Sequence, residues 1–96
     1  MGFIRDPYRE RVEAKLREYD LEIQKLKAKV ELAKAELRSE YHKELEGLRA
    51  RHGSARQKLE ELKRGGSKAG EDIRSGIDNA LDELRKGLDK AVAKFK

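Results

Sequence analysis

Cysteine is absent from this chain, and so is any long apolar run. The first absence excludes a disulfide framework and a thiolate metal site. The second excludes a spanning helix, since nothing approaches the ~18 apolar residues a bilayer requires. The start lacks the apolar core of a signal peptide, and Asp6 stands where an N-myristoylation motif needs Ser or Thr. A cytoplasmic location is the simplest expectation. Apolar residues are also scarce, at 36% of 96 residues against 45% charged, so a round core covered on every side is a poor fit. A narrow apolar seam flanked by charge fits better. The charges are mixed and the net is only +5, which argues against a disordered chain.

What is present is periodic. Gly76 to Lys86 is followed directly by a second copy, Gly87 to Lys96, with Gly, Asp and Ala at matching positions. Gly65, Ala69, Ile73 and Arg74 keep the same register one copy earlier. Ile73, Ile77, Leu81, Leu84, Leu88, Val92 and Phe95 are therefore spaced four, four, three, twice over. Eleven residues in three turns keep one face of an α-helix apolar with little supercoiling.

The first two thirds read as one long helix. Asp6 is a capping residue and Pro7 suits the first helical position. A ladder with steps of four and three follows: Val12, Leu16, Tyr19, Ile23, Leu26, Val30, Ala33, Leu37. It resumes at Tyr41 and continues through Leu45, Leu48, His52, Ala55, Leu59 and Leu62. The step from Leu37 to Tyr41 is one residue too long, an irregularity that unwinds a supercoil locally without ending the helix. Gly53-Ser54 is a candidate break, but the ladder stays in register across it, which favours continuity. Lys63-Arg64-Gly65-Gly66-Ser67 is the firm stop.

These readings predict an all-α protein of one coiled-coil domain spanning 1–96, with a helix over 7–63, a Gly/Ser turn over 64–70 and a helix over 71–95. The first helix would be on the order of 85 Å long at 1.5 Å per residue. The shorter helix folds back antiparallel to it as a hairpin. Leu45, Leu48, Leu59, Leu62, Ile73, Ile77, Leu81, Leu84, Leu88, Val92 and Phe95 are the expected hairpin packing. The stretch Val12, Leu16, Tyr19, Ile23, Leu26 and Val30 is left bare. A bare stripe of that length needs a partner, so a homodimer is expected, as a coiled coil or four-helix bundle. Other coiled-coil proteins are further candidate partners. Gly76, Ala80, Gly87 and Ala91, beside the large apolar positions, are expected to let the two backbones approach closely.

From about Tyr8 to Phe95 the chain resembles a family of short bacterial coiled-coil-domain proteins associated with stress response. The resemblance is carried by Tyr8 through Leu16, Ile23 through Lys29, Ala35-Glu36-Leu37 leading into Tyr41 through Leu45, and Leu59 through Leu62. The Gly/Ser break, Ala80-Leu81 and Ala91 through Phe95 complete it. Tyr19 and Leu81 depart from the pattern, since members often carry Trp near these positions. The family implies a link to stress and carries no catalytic residues. The eleven-residue repeat is also similar to those of late embryogenesis abundant proteins, which protect cells during drying, and of apolipoproteins. Both comparisons imply surface-active helices.

Chemistry is thinly represented. His42 and His52, ten residues apart, cannot chelate one ion together, and His42 with Glu46 falls short of the three or four ligands zinc requires. No metal, cofactor or catalytic set is expected, and the protein is read as a non-enzyme. Residues 65–70 lack the spacing of a phosphate-binding loop and read as a turn. Nucleic acid is a poor fit to 24 basic residues interleaved with 19 acidic ones. An anionic membrane surface is the alternative partner, met by the amphipathic C-terminal helix with Lys86, Lys90 and Lys94, although Asp78, Asp82, Glu83 and Asp89 weaken that attraction.

Overall fold

The computed structural model describes residues 7–65 and 70–95. These form three helices, α1 (Pro7–Glu31), α2 (Ala35–Gly65) and α3 (Gly70–Lys94), with no strand among them. The turn expected over 64–70 lies largely outside the described residues, as does Asp6. α2 runs without interruption through Gly53 and Ser54.

The single helix expected over 7–63 is in fact two. The chain reverses at Leu32-Ala33-Lys34, using neither glycine nor proline. Its backbone groups are satisfied locally. The amides of Leu32 and Ala33 donate to the carbonyls of Lys29 and Val30, tightening the end of α1 into a 3₁₀-type turn. The Lys34 carbonyl accepts from the amides of Leu37 and Arg38, which starts α2. Arg38 Nε donates to the Ala33 carbonyl at 3.1 Å, capping the carbonyl that the reversal exposes. The irregular step from Leu37 to Tyr41 is the trace of this reversal in the sequence. The small Ala33 holds the place in the ladder where a large side chain would have sustained a continuous seam.

Folding back also settles the bare stripe. Val12, Leu16, Tyr19, Ile23, Leu26 and Val30 are all buried within the one chain. The premise that they await a second copy therefore falls. α1 and α3 run parallel to each other and antiparallel to α2, because Tyr8 meets Arg74 and Asp78, Glu13 meets Lys63, and Lys94 meets Glu40 and Glu44. The bundle measures 56 × 23 × 18 Å.

One core runs its length. Leu45, Leu48, Ala55, Leu59 and Leu62 of α2 meet Ile77, Leu81, Leu84, Leu88, Ala91 and Phe95 of the C-terminal segment. Ile73 packs against this core half-buried, and Val92 lies outside it at 37% exposure. The buried residues of the C-terminal segment thus step by four and three, with Ala91 in place of Val92, rather than following the eleven-residue repeat. The reason lies in α2, whose buried positions also alternate three and four. A helix facing that seam must keep the same 3.5-residue stride to stay opposite it. Ala91 is fully buried, and its small size permits the approach.

Gly87 marks the tightest contact between α2 and α3. A methyl group added there would lie 2.9 Å from Leu48 Cδ2 and 2.5 Å from an Arg51 guanidinium nitrogen. Gly47 and Gly53, in contrast, have nothing within 4 Å. Gly47→Ala and Gly53→Ala should each stabilise the protein by about 1 kcal/mol through helix propensity. Gly87→Ala gains the same propensity but meets an overpacking cost of about 1–3 kcal/mol, for a net loss. Urea midpoints of the three variants, moving in opposite directions, would verify the α2–α3 packing.

Candidate functional surfaces

Polar side chains join the helices mainly at the two ends of the bundle. At one end the Tyr8 hydroxyl lies 2.8 Å from Asp78 Oδ1 and 3.0 Å from the Arg74 carbonyl, donating to both acceptors, with the Arg74 guanidinium 5.0 Å from the ring centroid. Lys63 spans from α2 to Glu13 of α1 and to its own neighbour Glu60, at 3.4 Å each. At the other end Lys94 sits between Glu40 at 2.9 Å and Glu44 at 3.0 Å. Beside it the Tyr41 hydroxyl donates to the Lys94 carbonyl, and its ring packs on Phe95 with centroids 4.2 Å apart.

His52 is half-buried between α1 and α2, with Nε2 2.7 Å from the Leu16 carbonyl. A carbonyl can only accept, so Nε2 carries the proton and the ring acts as a strut between helices. It opens onto a shallow groove that also holds Glu13, Arg17, Asp20, Arg56 and Lys63. A second shallow groove, between α2 and α3, is lined by Lys43, Glu44, Gly47, Arg51 and Lys94 among others. Both are open channels between helices, walled largely by charged side chains. Among the described residues no group of three or more His, Cys, Asp or Glu converges on a metal-sized site, and no helix is long and apolar enough to cross a membrane. His42 is exposed.

The structure therefore brings the expected seam residues and the expected hairpin residues into one core, Val92 excepted. Sequence reasoning missed the end contacts of Tyr8 and Tyr41. Both belong to the apolar ladder or its edge, and nothing in the spacing reveals a hydroxyl reaching a helix more than fifty residues away. No protein-family model, curated protein or solved structure matches this chain.

Two groups at these ends are shifted upward. Tyr8 is raised above the ordinary tyrosine range, first by burial and then by its hydrogen bond to Asp78. Lys94 is raised by its hydrogen bonds to Glu40 and Glu44. For a group whose folded value lies above its unfolded one, the stabilisation is complete below the unfolded value and is lost as pH rises through the folded one. With unfolded values of about 10 for Tyr and 10.4 for Lys, stability should decline above about pH 10. Tyr8→Phe should make that decline shallower while lowering stability at neutral pH by about 1 kcal/mol. Urea unfolding followed by circular dichroism across pH 8–11 would measure both.

Proposed function

We propose that this chain is a non-enzymatic, stress-associated structural, scaffold or protectant protein acting in the cytoplasm through helix packing. The observation that carries the reading is how the side chains divide. Among the described residues most large apolar side chains go into the bundle's own core, and the surface is left charged, with shallow open grooves. An elongated, highly solvated helical body of this kind offers length and charge to partners. The resemblance to short coiled-coil stress proteins agrees with it.

Self-association belongs to the proposal on new ground. Ala14, Leu21 and Ala28 follow one another at seven-residue steps on the outward face of α1, and Leu32 extends them into the turn. Leu21 is 57% and Leu32 87% exposed. This stripe, not the buried one, is the surface on which a second copy or another coiled-coil protein would pack.

The alternative is a membrane-surface role for α3, favoured by its amphipathicity, which is the strongest of the three helices. Because its apolar face is buried against α2, lipid binding would require α3 to leave the bundle.

Size-exclusion chromatography with light scattering, run with and without anionic vesicles, separates the two. The scaffold reading expects a helical dimer that ignores vesicles and becomes a monomer of unchanged helicity in the Leu21→Glu/Leu32→Glu variant. A monomer that co-elutes with vesicles and gains helix would replace it with the membrane reading.

A further inference from the structure

Acids and bases interleave along the chain, and the longest stretch without an acid lies in α2. No acidic residue occurs between Glu46 and Glu60, while Arg49, Arg51, Arg56 and Lys58 all do. The fold could have neutralised these cations by bringing carboxylates across from α1 and α3. Instead Glu13 and Glu60 engage Lys63, Glu40 and Glu44 engage Lys94, Asp82 engages Lys86 and Asp89 approaches Arg85. Among the described residues, none of the four cations has a carboxylate partner.

Their placement is regular. Arg49 and Arg56 are seven residues apart, about 10.5 Å along the axis, and so share one flank of the helix. Arg56 lines the α1–α2 groove together with Arg17 and Lys63 and with the carboxylates of Glu13, Asp20 and Glu60, of which Glu13 and Glu60 are engaged by Lys63. Arg51 and Lys58, also seven apart, share the opposite flank. Arg51 lies over Gly87 and lines the α2–α3 channel with Lys86 and Lys90 and with the carboxylates of Glu44, Glu83 and Asp89. Of these, Glu44 is engaged by Lys94 and Asp89 approaches Arg85. Lys58 rests against Gly76. Between the flanks the exposed surface is Gly47, Ala50, Gly53, Ser54 and Gln57, low enough for a bulky chain to settle between the two rows.

We infer that this face of α2 binds the phosphate backbone of duplex nucleic acid, without regard to base sequence. Three of the four cations are arginines, whose planar forks match phosphate oxygens. The face carries no large apolar side chain. A membrane-surface helix needs one to enter the acyl boundary, and a protein interface draws most of its affinity from buried anchors. Binding to a polyanionic backbone needs neither, because displaced counterions supply the driving force. There is also no aromatic platform on which unpaired bases could stack, which points to the duplex.

The test is fluorescence anisotropy of the full chain with a labelled mixed-sequence DNA duplex. Four phosphate contacts predict that affinity falls roughly a hundredfold between about 50 and 200 mM salt. Joint replacement Arg49→Gln, Arg51→Gln, Arg56→Gln and Lys58→Gln should weaken binding at least tenfold at about 50 mM salt and reduce the logarithmic salt slope by about 3.6. Removing equal charge from α1 with Lys15→Gln, Lys25→Gln, Lys27→Gln and Lys29→Gln should leave both nearly unchanged. Circular dichroism checks folding, and the exposed single variants Arg49→Gln and Arg56→Gln, each lowering the slope by about 1, serve if the joint variant unfolds. Three results would overturn the inference: no binding at about 50 mM salt, an equal loss from the α1 variant, or tighter binding to polyglutamate or phosphatidylserine vesicles than to the duplex.

Discussion

α2 lies between the other two helices in chain order and faces both, and its buried residues recur every three and four positions. Any helix packed along it must keep that stride, because a helix with a different period would rotate its apolar face away within a few turns. α1 meets the condition with the unbroken ladder from Val12 to Val30. α3 carries an eleven-residue repeat and meets it by substituting Ala91 for Val92 at the buried position. Gly87 then allows the close approach to Leu48 that the shared stride demands.

The same constraint explains the reversal at Leu32-Ala33-Lys34. A continuous helix over 7–63 would leave six large apolar residues in water, each worth roughly 1.5–3 kcal/mol on burial. Breaking the helix once costs a few backbone hydrogen bonds, and the tight turn, the Lys34 carbonyl and Arg38 restore most of them. Burial wins by a wide margin. The end contacts involving Lys63 and Lys94 are exposed and salt-screened, so their role is to fix register and direction rather than to supply stability.

Once the acids nearest the core boundary are engaged in those contacts, the charge left on the surface is unevenly distributed. The outward face of α1 keeps Leu21 exposed, with Leu32 beyond it in the turn, and the two flanks of α2 keep four cations without a carboxylate partner among the described residues. These faces carry different chemistry on one bundle.

Helical class, the ends of the elements at Pro7 and near Gly65, and nearly every core residue were legible in the sequence, because apolar side chains at helical spacing must turn toward a partner. The identity of the partner was not legible. Periodicity states which face of a helix is buried and is silent on whether the covering helix comes from the same chain or another. That is why Val12 to Val30 read as a dimer seam and the chain as a two-helix hairpin. The reversal carried no glycine or proline, and its signal, Ala33 and one long step, is also the signature of a continuous coiled coil with a stutter. Which cations remain unpaired was decided only when three helices came together, since ion pairs such as Lys94 with Glu40 join residues far apart in the chain and form only after the core has set their register.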